Sequence, residues 1–168
     1  IKKEYITSEL SEMDSNKLVP YYKFNYHMRY ISQPLKEFNN FVKDYLIERS
    51  FSGLYKPFVM DLACGKMGDF FKYVKYGAFF LVGIDINGDN IHNRNDGAAS
   101  RIMNSIYRNN NIGKLASRTI LVNGDVTKNI QNGEAGADIL NKYYLDIIYG
   151  KLKSKNNKHN KLYNYASE

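Results

Sequence analysis

The sequence predicts an α/β fold in which parallel strands alternate with helices. Three short apolar runs, at residues 58–62, 79–84 and 119–122, have the length and composition of buried strands. Helical patterns lie between them, and right-handed crossovers would give the strand order 3-2-1 with helices on both faces. Because such a half-sheet leaves its first strand with an unpaired edge, we expect the chain to be the N-terminal half of a larger domain.

The chain is expected to have three parts. Residues 1–31 are polar and then tyrosine-rich, and we interpret them as an N-terminal arm. Residues 32–150 carry the strand and helix patterns and form the α/β part. Residues 151–168 are rich in lysine and asparagine, and this composition predicts a flexible loop that leads to a missing C-terminal half.

Helix signals surround the strands. Ser32 followed by Pro34 predicts a helix N-terminus, and apolar side chains then recur at helical spacing. That apolar stripe comprises Leu35, Phe38, Phe41, Val42, Tyr45 and Leu46. Further helices are predicted after Asp69, over 89–108 and within 137–149, with the asparagine-rich residues 109–113 ending the second of these.

The composition narrows the possible partners. The 168 residues carry a formal net charge of +7, which favours a polyanion such as nucleic acid, although excess lysine is also common for solubility. The single cysteine, Cys64, cannot form an internal disulfide, which indicates a reducing compartment. No apolar run reaches the roughly 20 residues that span a bilayer, so no membrane association is expected.

The turn after the first predicted strand is the first candidate site. Gly65 and Gly68 allow a ligand to approach the backbone closely, and the amides of the next helix favour negative groups. Ala63 stands where a dinucleotide-binding turn has its first glycine, and no Gly-Lys-Ser/Thr follows, which argues against a triphosphate loop. Asp61, inside an apolar strand, would hold the turn's amides or a ligand's ammonium. The alternative is an ordinary strand-to-helix turn.

Two further aspartates follow strands. Asp85 ends the second strand, where an acidic residue can accept both hydroxyls of a ribose; its alternative role is to cap the next helix. Asp125 follows the third strand and would accept from an adenine amino group, or simply form a turn with Asn123 and Gly124. Because carboxyl ends of parallel strands meet at one edge, these residues indicate a nucleoside-containing cofactor.

The remaining reactive side chains show no catalytic pattern. Cys64 is interpreted as a packed residue rather than a nucleophile, because no histidine lies near it in sequence. The three histidines show no metal-ligand spacing, so no metal is expected. Lys66, in the turn, would lie near a bound phosphate or carboxylate, or would simply be solvated.

Two motifs taken together resemble the mRNA cap (guanine-N7) methyltransferases. Residues 38–43 are Phe-Asn-Asn-Phe-Val-Lys, and residues 61–69 are Asp-Leu-Ala-Cys-Gly-Lys-Met-Gly-Asp. That family carries a Phe-Asn-Asn-aromatic-aliphatic-Lys helix about twenty residues before an Asp-Leu-Gly-Cys-Gly-Lys-Gly-Gly-Asp loop. The similarity covers roughly residues 34–85 and is greatest to the methyltransferase domain in capping enzymes of large DNA viruses.

The resemblance implies a Rossmann-like methyltransferase fold with S-adenosyl-L-methionine as its cofactor, bound within residues 32–150. Lys43 and the loop around Gly65 would hold the methionine end, with Asp69 nearby, while Asp85 would bind the ribose and Asp125 the adenine. The cofactor-binding residues are thus Lys43, Asp61, Gly65, Asp69, Asp85 and Asp125.

The resemblance also implies a capped mRNA 5′ end as substrate. Asn39 would touch the cap guanosine and Lys66 its phosphates, and Arg94 or Arg101 would replace an arginine that the family carries on the next helix. Ala63 and Met67 replace two family glycines. We expect Ala63 to be tolerated at negative φ and Met67 to narrow the pocket.

The implied reaction moves a methyl group from a sulfonium to guanine N7. That nitrogen has a free lone pair at neutral pH, so proximity and orientation suffice and no catalytic base is expected. The family's next motif is absent, so the fragment alone is expected to be inactive and to need other domains or a stimulatory subunit. We expect a cytoplasmic location, in a viral factory or virion if viral, or a nuclear one for a cellular homologue.

The sequence leaves two alternatives open. The chain could methylate another RNA base or a protein and share only the cofactor half. It could also be a non-catalytic module that binds RNA or docks a subunit. Cofactor binding separates the second alternative from the enzymes.

Overall fold

The computed structural model describes residues 28–106 and 110–151. Most of the predicted arm and nearly all of the predicted lysine–asparagine loop lie outside these residues. The chain divides into two compact units, residues 1–41 and 42–168. In chain order the elements are α1 (Met28–Phe51), β1 (Phe58–Leu62), α2 (Phe70–Lys75), β2 (Phe80–Asp85), α3 (Gly88–His92), α4 (Ala98–Ser105), α5 (Asn110–Ala116), β3 (Thr119–Asn123) and α6 (Ile139–Ile148).

The three strands form a parallel sheet in the order β1-β2-β3. The predicted order 3-2-1 is therefore confirmed. Val59 pairs with Leu81, and Val82 pairs with Ile120. The central strand β2 is buried along its whole length, which explains its continuous apolar run. The strands bring their carboxyl ends to one edge of the sheet, which we call the carboxyl edge, and their amino ends to the opposite edge, the amino edge.

Helices cover both faces of the sheet, as predicted. On one face Leu81 packs with residues of α2, α3, α4 and α5, and the end of α1 adds Ile47 and Phe51. On the other face the β2 side chains Val82 and Ile84 pack with Leu145 of α6. The strand–helix alternation read from the sequence thus gives one sheet between two helical layers.

Strand β1 keeps an exposed edge within the part of the chain that the structure describes. It pairs there with β2 and with no other strand. Its side chains Phe58, Met60 and Leu62 lie on the α6 side of the sheet and are 48%, 38% and 50% exposed. The expected unpaired edge is present. None of the helices in the described residues is long and apolar enough to cross a bilayer.

Helix boundaries differ from the predictions in three places. The first helix begins at Met28 rather than Ser32 and includes Pro34. Because methionine and arginine favour helices, Met28 and Arg29 extend the helix although Pro34 forgoes one backbone hydrogen bond. The predicted helix 89–108 is interrupted, because the Asn93 side chain accepts hydrogen bonds from the next turn, including one from Asn95 N–H at 2.9 Å. The predicted break is present, since α4 ends at Ser105 and α5 begins at Asn110, but Gly113 lies inside α5 and has no part in the break.

Candidate functional site

The loop between β1 and α2 has an unusual backbone. Ala63, Gly65 and Met67 all adopt left-handed conformations, with φ of 61°, 55° and 54°. This conformation suits glycine and costs an L-residue about 1–2 kcal/mol. The expectation that Ala63 sits at negative φ is therefore wrong, and the loop holds two strained positions where its sequence lacks glycine.

The side chain of Met67 lies beneath the loop. It is 2% exposed and belongs to the core that includes Phe70 and Leu81. Space for it comes from Gly83 on β2, where an added Cβ would lie 3.0 Å from the Met67 sulfur. The expectation that Met67 narrows a ligand pocket is therefore wrong, because the side chain packs inward and anchors the loop to the sheet.

Asp85 ties the end of β2 to this loop. Its side chain is buried, and its Oδ2 accepts the backbone N–H of Gly65 at 2.7 Å. Its Oδ1 accepts the backbone N–H of Asn87 at 2.9 Å and the amide of Asn90 at 3.1 Å. The capping role considered for Asp85 falls to Asn87, whose side chain accepts from Asp89 N–H. Asp85 instead links the end of β2 to the loop that follows β1.

Asp61 lies on β1 next to the same loop. The Tyr73 hydroxyl donates to its Oδ2 at 3.0 Å. Burial raises the pKa of the Asp61 carboxyl, and the charges of Asp69 and Asp85 raise it further, while Tyr73 and Lys43 oppose them. The Asp61 carboxyl thus lies within electrostatic reach of Asp69 and Asp85.

Asp69 is held between two lysines. Its Oδ2 lies 2.8 Å from Lys43 Nζ and its Oδ1 lies 2.6 Å from Lys72 Nζ. Burial alone would raise the pKa of Asp69, but hydrogen bonds from the two lysines outweigh it and lower the pKa. A second contact joins the same two helices, because Asp44 of α1 accepts a hydrogen bond from Lys75 Nζ of α2 at 2.7 Å.

Cys64 is a packing residue, as interpreted from the sequence. It is buried in the core beneath the loop. Burial, with the nearby charges of Asp61 and Asp85, raises the pKa of its thiol to about 12. A thiol that stays protonated at neutral pH is a poor nucleophile. Within residues 28–106 and 110–151, no group of three or more histidine, cysteine or acidic side chains could hold a metal ion.

Asp125 forms a turn after β3. Its Oδ1 accepts the backbone N–H and the hydroxyl of Thr127, at 3.0 and 2.7 Å. The Thr127 hydroxyl is the main reason why the pKa of Asp125 is lowered. Nearby, the side-chain oxygen of Asn123 is buried and has no hydrogen-bond partner within the described part of the chain. A buried acceptor left open at a strand end is suited to a ligand's donor.

The four residues expected to bind the cap lie in three places. Lys66 Nζ pairs with Asp96 at 2.5 Å, and Arg101 donates to the Lys66 carbonyl at 3.0 Å. Arg94 is exposed in the connection between α3 and α4. Asn39 is exposed on α1, in the first of the two units. The structure thus brings Lys66 and Arg101 together at the loop and leaves Arg94 on the surface.

Four residues of the site were not singled out from the sequence. Lys72 and Tyr73 hold Asp69 and Asp61, Asn90 holds Asp85, and Asn123 supplies the open acceptor. Only Lys72 had a readable signal, because it follows Asp69 by three residues at the start of a helix. The roles of the other three depend on how the chain folds around the strand ends.

The three-stranded parallel sheet with its helices, in which the acid at the end of the second strand binds the loop after the first, has the architecture of part of a Rossmann-like methyltransferase fold. The model of the mRNA (guanine-N(7))-methyltransferase domain matches residues 21–151. The chain therefore belongs to the mRNA (guanine-N7)-methyltransferase domain family.

Two curated relatives agree with this family. A probable mRNA-capping enzyme of Acanthamoeba polyphaga mimivirus is 36% identical over 70 residues, which cover 42% of this chain and 6% of the relative. The mRNA cap guanine-N(7) methyltransferase of Schizosaccharomyces pombe is 43% identical over 54 residues, which cover 31% of this chain and 15% of the relative. The matches thus span a small part of each relative. No solved structure matches the chain significantly.

Proposed function

We propose that this chain forms the S-adenosyl-L-methionine-binding part of an enzyme that methylates N7 of the mRNA cap guanosine. The observation that carries the proposal is the contact between Gly65 N–H and Asp85 Oδ2 at 2.7 Å. It joins a glycine loop to an acid at the end of the next strand, the arrangement that binds a nucleoside in open α/β sheets. Family membership supports the choice of reaction.

Asp85 has capacity left for a ribose. A carboxylate offers about four lone-pair positions, and the described donors to Asp85 are Gly65, Asn87 and Asn90. One further position accepts a hydroxyl without breaking the loop. Because Asp85 is buried, such a hydrogen bond forms in a low dielectric, where it is stronger than in water.

The charged cluster beside Asp85 suits the methionine end of the cofactor. Lys43 Nζ is a partner for a carboxylate, and Asp61 and Asp69 are partners for an ammonium. Lys72 keeps Asp69 ionised and in place when Lys43 turns to a ligand. The cluster therefore holds both signs of charge that a zwitterionic ligand requires.

The adenine would lie at the end of β3. Asp125 is the acceptor that the sequence indicates, and Asn123 offers the unfilled buried oxygen. Gly88 keeps α3 close to this point, because an added Cβ there would lie 2.9 Å from the Asn123 amide nitrogen. An exocyclic amino group carries two hydrogens and can serve both acceptors.

For the cap, we assign Asn39 to the guanosine and Lys66, Arg94 and Arg101 to its phosphates. Lys66 and Arg101 already meet at the loop, where the Arg101 guanidinium donates to the Lys66 carbonyl. A triphosphate would compete with Asp96 for the Lys66 ammonium. These cations would hold the anionic cap against the loop, so binding should weaken as salt rises.

The proposed reaction requires the protein mainly to align the two reactants. The bound cofactor supplies an electrophilic methyl group, and guanine N7 needs no deprotonation. The residues of the loop and of β1–β3 would orient the reactants, and the paired charges of the cluster would provide a field that does not over-stabilise the cationic sulfonium. This agrees with a site in which Cys64 is buried and protonated and carries no nucleophilic role.

The experiment is calorimetry of the full chain with S-adenosyl-L-methionine. Methyl transfer to capped RNA, with identification of the methylated atom, is then measured with the chain as part of the complete enzyme. Lys43→Ala should weaken cofactor binding about tenfold while the protein stays folded, because Asp69 retains Lys72. Lys36→Ala, an exposed lysine on the same helix, is the matched control and should bind normally.

Each other result has a defined meaning. The absence of any heat of binding would leave a non-catalytic module and contradict the proposal. Methylation of another base, or of protein, with cofactor binding intact would overturn the cap assignment and retain the methyltransferase. Unfolding of Lys43→Ala would show that Lys43 is structural.

A further inference from the structure

A cleft lies at the amino edge of the sheet, away from the candidate cofactor site. It has a volume of about 300 Å³, and its charged and aromatic lining comprises Lys56, Phe79, Lys114 and Arg118. Lys56 precedes β1, Phe79 directly precedes β2, and Arg118 directly precedes β3. The cleft is therefore separated from the candidate cofactor site by the length of the strands, about 17 Å for five residues.

The Phe79 ring organises the cations of this cleft. The Arg118 guanidinium carbon lies 4.2 Å from the ring centroid, and Lys56 Nζ lies 4.9 Å from it. Phe58 stacks on the same ring at 5.8 Å with an interplanar angle of 11°. Cation–π attraction thus holds two positive charges at one ring, and neighbouring apolar side chains keep that ring in place.

The charge of the cleft is one-sided. None of the described residues that line it is acidic, and Lys114 adds a third cation. The rest of the lining includes the apolar Val74, Ala78 and Leu115. Like charges gathered beside apolar side chains raise the local concentration of anions, and the apolar side chains offer surface for planar groups. A nucleic acid offers both anions and planar groups, because its phosphates are joined to flat bases.

We propose that this cleft binds single-stranded RNA, namely the nucleotides that follow the cap in the transcript; this rests on the proposed function. A charged groove combined with aromatic or guanidinium surfaces is how proteins hold single strands without reading sequence. Because the cleft lies at the opposite edge from the cofactor site, it contacts transcript nucleotides beyond the cap itself. The net charge of +7 agrees with such a polyanionic partner.

The test measures binding of a capped, unstructured 20-nucleotide RNA and of a cap dinucleotide to the full chain by fluorescence anisotropy. Lys114→Glu and Arg118→Gln should each weaken binding of the long RNA several-fold and leave the affinity for the dinucleotide unchanged. For single strands, the salt dependence should fall by about 0.7 log units per decade for each phosphate that the variant no longer neutralises. Lys142→Glu, an exposed lysine on α6, is the control of equal charge change to Lys114→Glu.

The outcomes separate this proposal from the proposed function. Unchanged affinity for the long RNA in both cleft variants overturns it, and so does equal weakening by Lys142→Glu, which would indicate net charge alone. Normal RNA binding with loss of an acidic protein partner also overturns it. Weakened RNA binding in a chain that binds no S-adenosyl-L-methionine would support the cleft and contradict the methyltransferase. Thermal melting identifies a variant that fails to fold, and Lys56→Ala then replaces it.

Discussion

The two edges of the sheet differ in the charged groups that they carry. At the carboxyl edge, Asp61 and Asp85 stand at or near the strand ends, and Asp69 in the following loop is paired with Lys43 and Lys72. At the amino edge, Lys56 and Arg118 stand just before the strands. Because parallel strands place all equivalent ends together, a few charged residues are enough to give each edge its own character. The same sheet thus presents a site with both signs of charge and a basic cleft.

The two edges also hold their charges in different ways. Asp85 is fixed by directed hydrogen bonds, with a backbone N–H at 2.7 Å as the shortest. The cations of the amino edge lie around the Phe79 ring, whose attraction is weakly directional. Directed contacts suit one small molecule in one orientation. Cations placed by a weakly directional attraction suit a polymer whose phosphates repeat.

The largest effect is expected from Asp85→Ala. It removes the acceptor of two backbone donors and of the Asn90 amide, so we expect the free energy of unfolding to fall by about 2–4 kcal/mol. Cofactor affinity should fall at least tenfold, because the ribose loses its acceptor. Urea unfolding and calorimetry measure the two effects.

The matched control for this change is Asp89→Ala. Asp89 is exposed and lies four residues away on α3. It should lose less than about 1 kcal/mol, because surface substitutions have small effects, and it should bind the cofactor normally. Unchanged cofactor binding in Asp85→Ala would contradict the ribose assignment and remove the basis for calling the carboxyl edge a nucleoside site.

A smaller effect is expected from Phe79→Leu at the amino edge. Leucine keeps most of the apolar volume but loses the ring beside Arg118 and Lys56, so stability should fall by about 1 kcal/mol. Cofactor affinity should not change, because the site lies at the other edge. Urea unfolding with calorimetry tests both statements. A matching loss of cofactor affinity would show that the two edges are coupled rather than independent.

The sheet and the placement of the acidic residues at its carboxyl edge could be predicted from the sequence. Apolar runs and turns report on backbone periodicity, and parallel topology then brings Asp61 and Asp85 to one edge. The helix ends could not be predicted as well. Gly113 suggested a break, yet it lies inside α5, because the packing of Ile112 and Leu115 outweighs the low helix propensity of glycine.

The partners of the charged groups could not be predicted either. Lys66 meets Asp96 thirty residues away, and Tyr73 meets Asp61 across the loop. Such contacts depend on how a helix packs on the sheet, which no local pattern encodes. The family resemblance directed attention to this loop but gave the wrong backbone at Ala63, because a glycine in a relative marks a position without stating its φ.

The two acids of the carboxyl edge should respond to pH with opposite signs. The pKa of Asp69 is lowered, so the stability that it contributes is present above its unfolded value of 3.8 and is lost as the pH falls through the folded pKa. The pKa of Asp61 is raised, so the folded state takes up this proton first and gains stability as the pH falls toward 3.8.

Urea unfolding between pH 7 and pH 3 therefore tests how the Asp61 and Asp69 carboxylates are held. Asp69→Asn should lose less stability on acidification than the unsubstituted chain, and Asp61→Asn should lose more. Glu134→Gln, an exposed acid, should behave as the unsubstituted chain does. Equal slopes in the two aspartate variants would show that these carboxylates are not held as the hydrogen bonds from Lys43, Lys72 and Tyr73 require.

The smallest effect is expected from Ala63→Gly, and it is a gain in stability rather than a loss. Ala63 has a φ of 61°, a conformation that costs an L-residue about 1–2 kcal/mol and glycine nothing. Glycine loses about 0.5–1 kcal/mol more backbone entropy on folding, so the net gain should be about 0.5 kcal/mol. Ala99→Gly, inside helix α4, receives the entropic loss without the relief of strain and should be destabilised. A loss of stability in both variants would mean that the loop is not left-handed at Ala63. The loop that Asp85 fixes would then present a different backbone to its ligand.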